Sequence, residues 1–402
     1  MNPTRTTTNI TPAGQASVEQ PMPAGALDRG NNAAAAGPPT PRDVLGVPAL
    51  PPAVASAAVN RLRARLLSAH RRMAPPPLQI LESLFGLLEH RVLVALCEAG
   101  VPEALTEPME TAELARRTGS DPDALERLVR YGSTAGWLRI DRNGMVAPTT
   151  VTAFLHRDHP GGWRAWVDFA GGADVVAAVQ RLSAAGDADP FEAAHGAAFF
   201  DWMATHADRG ATFDGAMAAG GRMHALGLAK SVSWKAPGSV CDVGGGTGAL
   251  LAALLDLVPG LTGTVLDLPT VIERAVQHER LTAVAGDAFE SVPTGFDTYL
   301  LVNIVHDWSD DDAARILARV ARAADSSARI IVVDGEATVR PIAGVAVATD
   351  VLMAALTPGG RERTTDEMRA LGQRAGLRLT SRNPLASGDT SWTFRPHRTD
   401  DR

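Results

Sequence analysis

The run Val240-Cys241-Asp242-Val243-Gly244-Gly245-Gly246-Thr247-Gly248-Ala249-Leu250 constrains the fold of this chain more than any other segment. A β-branched stretch ends in an acid, passes through glycines and enters an apolar segment, Leu250 to Val258. That order predicts a strand, a tight turn and a helix N-terminus. Glycine permits positive φ and lets a ligand approach the backbone without meeting a Cβ. The helix start offers free N–H donors. The turn is therefore expected to hold a flat polar ligand.

Downstream, strands and helices alternate. Strands are predicted near 239–243, 262–266, 281–285, 298–303 and 330–334, with two more near 378–381 and 392–395. Alternation predicts an α/β domain over residues 236–396: a doubly wound, Rossmann-like and mostly parallel sheet. Ligands of such sheets bind beyond the carboxyl ends of the strands. Those ends carry Asp242, Asp267, Asp287, His306 and Asp334.

Two ligand classes suit the glycine turn. Gly244, Gly246 and Ala249 satisfy the G-x-G-x-x-A spacing of dinucleotide sites. S-adenosylmethionine (SAM) has no pyrophosphate; it needs acids at successive strand ends. Asp242 suits its ammonium, beside the Gly244 and Gly246 backbone. Asp267, followed by Leu268, suits the ribose hydroxyls. Asp287, followed by Ala288 and Phe289, suits the adenine amino group and ring, and Asn303 adjoins the same edge. Singly, Asp267 and Asp287 read equally well as helix caps. Together with the turn, the three acids favour SAM.

The stretch resembles the SAM-dependent O-methyltransferases of the plant caffeate and bacterial polyketide type. The likeness extends to Leu300-Leu301-Val302-Asn303-Ile304-Val305-His306-Asp307-Trp308, which is similar to that family's strand and H-D-W motif. It also takes in Asp350 to Met353 and Gly359-Gly360-Arg361-Glu362-Arg363-Thr364, and covers roughly residues 78–396. The chain departs from the pattern at Val302, where many members carry Lys or Ser. It departs again at Gly221, where many carry a Ser at the SAM carboxylate, after an element like Phe213 to Met217.

The resemblance implies methyl transfer to a hydroxyl of an aromatic or polyketide-like small molecule, with His306 as general base. A phenol, with a pKa near 10, is a poor nucleophile at neutral pH, and an imidazole titrating near 6.5 can take its proton. Asp334 is expected to orient that imidazole, with Glu336 second. Asp307 is expected to point away and cap the following helix. Met353 and Asp350 are expected at the substrate. A second chemistry on the same fold is hydroxylation, decarboxylation or pericyclic ring formation. Two readings from other classes are a DNA-binding regulator that senses SAM and an NAD enzyme.

Composition narrows the choice. The net charge of −7 argues against duplex DNA as a partner, which calls for a basic face. No apolar run approaches the roughly 20 residues of a membrane span, and no signal core opens the chain; a cytoplasmic enzyme is expected. Two cysteines exclude a disulfide framework, and no Cys/His spacing suits zinc. Residues 1–50, rich in Pro, Ala and Gly, are expected to form a disordered tail.

Residues 51–235 are expected to be helical. An arginine-rich helix spans Ala53 to Met73 and an apolar one Leu78 to Ala99. A helix-turn-helix with a hairpin then reads as a winged helix. Its second helix starts with Asp121, Asp123 and Glu126, which would repel phosphates. The resemblance assigns this part to dimerisation, as a homodimer.

Overall fold

The computed structural model describes residues 51–184, 189–339 and 344–397. The predicted tail, 1–50, thus lies outside the described residues. Helix α1 spans Ala53–Met73 and α2 spans Pro76–Glu98. Pro75 separates them, because proline removes an N–H and disfavours helical backbone in the residue before it.

Helices α3 (Thr111–Thr118) and α4 (Pro122–Thr134) follow. Asp121 caps α4 by accepting the Ala124 N–H at 2.9 Å. Strands β1 (Leu138–Ile140) and β2 (Val146–Pro148) form the expected antiparallel hairpin. Leu96, Leu114, Leu125, Val129 and Val146 close a small core between these elements.

Helix α5 (Arg164–Ala170), two short helices over Pro190–His195 and Phe199–Thr205, and the long α6 (Ala207–Ser231) carry the aromatic region. Phe169, Phe191 and Phe199 are buried together with Met203 and Leu356, and Trp166, Phe200, Trp202 and Phe213 pack around them. Most of the aromatics are therefore core, the usual place for such side chains.

The remainder is one seven-stranded sheet. Its strands are β3 (Gly238–Val243), β4 (Leu261–Asp267), β5 (Leu281–Ala285), β6 (Thr298–Val302), β7 (Arg329–Asp334), β8 (Leu377–Pro384) and β9 (Thr390–Pro396). The order is β5-β4-β3-β6-β7-β9-β8. The first five are parallel; β8 and β9 are antiparallel. The chain winds outward from β3 to β5, then returns to lay β6 on the other side of β3. That reversal opens a crevice beyond the carboxyl ends of β3 and β6.

The helices of this half are α7 (Ala249–Leu257), α8 (Asp310–Ala323), α9 (Val345–Leu356) and α10 (Thr365–Arg374). One sheet face buries Val240, Leu300, Ile331 and Val333 against α6 and α7. The other buries Cys241, Val243, Leu301 and Val332 against α8, α10, Trp392 and Phe394. Side chains alternate between faces along each strand, so Asp242 follows Val240 onto the α6/α7 face. The predicted boundary at 235/236 falls in the loop after α6, and α6 itself covers the sheet.

Candidate active site

Three glycines of the turn after β3 adopt left-handed backbone: Gly244 (φ 71°), Gly246 (φ 61°) and Gly248 (φ 78°). Gly244 N–H donates to Leu266 O at 2.8 Å and Gly246 N–H to Asp267 Oδ2 at 2.7 Å, so the turn is stitched to the end of β4. Gly245 is needed for space. A Cβ there would lie 2.5 Å from Asp242 Oδ2 and 2.7 Å from Val265 Cγ2. Gly245→Ala is expected to cost about 1–3 kcal/mol of stability, because crowding of this kind displaces neighbours; chemical denaturation checks it.

Asp242 is only 1% exposed, and its Oδ2 has no hydrogen-bond partner among the described residues. Burial, with a lesser push from Asp267, raises its carboxyl to about 7. An unpartnered buried carboxylate is costly, and a ligand ammonium would relieve it. Asp267 accepts from both Gly246 and Leu268 N–H groups, the second at 2.7 Å. Leu268, exposed beside it, offers an apolar surface. Asp287 accepts the Phe289 N–H at 2.8 Å. Phe289 meets the Trp308 ring edge-on at 4.8 Å and lies under the Arg315 guanidinium at 4.9 Å. These residues fit an adenosyl group joined to an amino-acid end.

Beyond β6, Asn303 takes φ 55°, the one positive value outside glycine among the described residues. Asn tolerates this region better than most residues. Its N–H donates to Val333 O at 2.8 Å. The bend leads into a single 3₁₀ turn, Val305–Asp307, which lays His306 over the strand ends.

His306 is 6% exposed and stands among three acids. Its Nδ1 lies 3.0 Å from Glu362 Oε1 and 4.0 Å from Asp334 Oδ1, and its Nε2 lies 3.6 Å from Asp307 Oδ1. Burial alone would lower the imidazole, but Asp307, Asp334 and Glu362 outweigh it and raise it to about 10. Burial raises Asp307 to about 6 and lifts Asp334 well above the carboxylate range.

The sequence-based assignment of partners needs correction. The acid that hydrogen-bonds His306 is Glu362; Asp334 stands beyond hydrogen-bond distance. Glu336 turns to Arg382, Thr365 and Thr390. Asp307 does not cap α8: Ser309 does, accepting the Asp312 N–H, and Asp307 faces the imidazole. Asp350, expected at the substrate, accepts the Glu362 N–H at 2.8 Å and so fixes the loop that carries Glu362. Met353 is buried, at 8% exposure.

The Glu362 loop is locked from both sides. Arg361 N–H donates to His306 O at 2.8 Å. Arg363, 1% exposed, donates to Val305 O and Trp308 O, each at 2.7 Å, and to Asp310. Its planar fork suits three such acceptors. Near the glycine turn, Asp214 of α6 takes both Arg274 Nε (2.8 Å) and Nη2 (2.6 Å), tying α6 to the segment after β4.

Residues 173–378 match the O-methyltransferase domain family, and residues 81–158 match the O-methyltransferase dimerisation domain. The chain belongs to the O-methyltransferases. The enzyme is SAM-dependent: structural neighbours of this family were solved with SAM or S-adenosylhomocysteine bound. It is 33% identical over 329 residues to the mitomycin biosynthesis 6-O-methyltransferase of Streptomyces lavendulae, covering 76% of this chain and 90% of the relative. It is 32% identical over 287 residues to the 2,7-dihydroxy-5-methyl-1-naphthoate 7-O-methyltransferase of Streptomyces carzinostaticus, covering 68% and 85%. Among solved structures, the mitomycin 7-O-methyltransferase MmcR superposes with a TM-score of 0.73 at 31% identity, covering 82% of this methyltransferase and 99% of MmcR. The calicheamicin methyltransferase CalO1, in its S-adenosylhomocysteine-bound form, gives 0.70 at 29% identity, covering 83% and 99%.

Proposed function

We propose that this methyltransferase acts on a hydroxyl of an aromatic or polyketide-like small molecule, with His306 taking the acceptor's proton. The carrying observation is the Glu362 contact at 3.0 Å, which fixes Nδ1 and leaves Nε2 as the nitrogen for the acceptor. The relatives' naphthoate and mitomycin chemistry supports this acceptor class. Bound SAM supplies a methyl group on a positively charged sulfur. Asp242 and the Gly244 and Gly246 backbone would hold its amino-acid end, Asp267 and Leu268 its ribose, and Asp287, Ala288 and Phe289 its adenine. Asn303 sets the bend that brings His306 to the same edge.

The chain's own task is proton handling and alignment. The acids raise His306 to about 10, close to a phenol's own pKa, so the proton passes between near-equal bases. The neutral imidazole, the form that can accept this proton, gains population as pH rises towards 10, so the rate should rise with pH. The surrounding acids together favour the imidazolium that results, and Glu362 also fixes the ring.

Glu362→Gln tests this arrangement. Removing a negative charge lowers the imidazole pKa. The rise of kcat/KM with pH should therefore move to lower pH, with the maximal rate down roughly 10- to 100-fold. A pH–rate profile superposable on the wild type would refute the assignment.

We read the working unit as a homodimer. The dimerisation-domain match and the exposed Leu81, Leu84, Phe85 and Leu88 of α2 support it. Among the described residues no helix is long and apolar enough to cross a membrane. We place the protein in the cytoplasm as an enzyme of small molecules, and the acidic start of α4 supports that reading over a nucleic-acid partner. Hydroxylation, decarboxylation and pericyclic chemistry are not favoured, because the match is to an O-methyltransferase domain.

A further inference from the structure

A second imidazole–carboxylate pair stands at the same sheet edge and has no part in the proton handling. His224 of α6 is 7% exposed, and its Nε2 lies 2.9 Å from Asp389 Oδ2. Its Nδ1 is buried with no hydrogen-bond partner among the described residues. Asp389 ends the turn between β8 and β9. Its neighbour Thr390 pairs with Asp334 at the end of β7, which sets Asp389 at the carboxyl edge.

The face of the sheet matters. Helix α6 touches the first turn of α7 just after the glycine turn, where a Cβ on Gly221 would lie 3.1 Å from Leu250 Cβ. His224 follows one helical turn later, so it comes down on the α6/α7 face. Asp242 occupies that face too. His306 instead lies beside Asp334, which alternation turns to the opposite face from Val333. Two buried polar atoms without partners, Asp242 Oδ2 and His224 Nδ1, thus share one face and one edge.

An α-amino-acid end carries an ammonium and a carboxylate, one charge suited to each of these atoms. We propose that His224, held by Asp389, binds the carboxylate of the cofactor's methionyl end, opposite the ammonium site at Asp242. Burial would raise the Asp389 carboxyl, but the charges of His224 and, more weakly, His306 hold it at about 2. Asp389 is therefore ionised and pairs with Nε2, and a ligand carboxylate would take its hydrogen bond from Nδ1–H of the doubly protonated ring. Arg222, the neighbouring cation on α6, is directed instead at Gly162, where a Cβ would lie 3.2 Å from its Nη1. The proposal rests on the cofactor being SAM.

The test is calorimetric titration of the full-length protein with two probes. S-adenosylhomocysteine has the amino-acid end; 5′-methylthioadenosine has the same nucleoside and thioether without it. His224→Phe should weaken S-adenosylhomocysteine about 10- to 100-fold, the weight of one charge-assisted hydrogen bond, and methylthioadenosine less than about twofold. Asp389→Asn, which keeps the shape of the side chain, should shift the two probes with the same selectivity and a smaller amplitude. It decides the matter if His224→Phe does not fold. Equal weakening of both probes, or no loss for S-adenosylhomocysteine, overturns the proposal. A wild-type protein that binds neither probe would instead overturn the cofactor assignment beneath it.

Discussion

Replacing His306 with Ala should lower kcat by about 10²- to 10⁴-fold while leaving S-adenosylhomocysteine affinity within a few-fold of wild type. The asymmetry follows from the proposed roles, in which the imidazole meets the acceptor and residues at the ends of β3, β4 and β5 hold the nucleoside. Stability has to be read alongside activity. The His306 pKa is about 10 in the folded protein against roughly 6.5 unfolded, so the group stabilises the fold. That contribution is complete below pH 6.5 and fades as pH climbs through about 10. His306→Ala forfeits it and leaves Asp334, Asp307 and Glu362 without their cation, a loss of several kcal/mol if they stay ionised. His306→Gln fills the space and retains a donor for Glu362. A comparable rate loss in a folded Gln variant, measured beside its thermal midpoint, assigns the effect to proton transfer.

Asp242→Asn should act in opposite directions on binding and stability. Affinity for SAM should fall about 10- to 100-fold, because the ammonium loses a charged partner. The ligand-free protein should become more stable, because a desolvated carboxyl with one unpartnered oxygen is removed. The sign with pH follows. Asp242 titrates near 7 folded and near 3.9 unfolded, so the folded state retains a proton that the unfolded state releases between those values. Stability from this group therefore declines as pH rises from about 4 towards 7. Cofactor affinity should move the other way, rising up to about pH 7. Below pH 7 binding should release a proton, visible as a binding heat that varies with the buffer's ionisation enthalpy.

Local chemistry made part of this site readable in advance. The glycine run, the acids ending β3 and β4, and helix α1 from Ala53 to Met73 follow from turn chemistry and periodicity over a few residues. The carboxyl edge was legible for the same reason: alternation fixes which end of each strand faces the crevice. Glu362 was not legible as the partner of His306, because 56 residues separate them. The link is made by Arg363 gripping Val305 O and Trp308 O and by Asp350 gripping the Glu362 N–H. A glutamate between two arginines just after paired glycines was the available signal. Asp307 was misplaced because the chain makes a single 3₁₀ turn there, after the left-handed Asn303, rather than starting α8 directly. Strands β8 and β9 run longer than hydropathy suggests, since their exposed positions are polar and only antiparallel pairing with β7 buries Trp392 and Phe394.

The central claim is that His306 removes the acceptor's proton. It is tested most directly by methylation rates of accepted phenols that differ only in ring substituents, and so in pKa, compared between wild type and His306→Gln. If the imidazole is the base, the variant's deficit should shrink steadily as the phenol becomes more acidic and approach parity for phenols ionised at the assay pH. A deficit of constant size across the series would contradict the claim and leave alignment as the histidine's contribution.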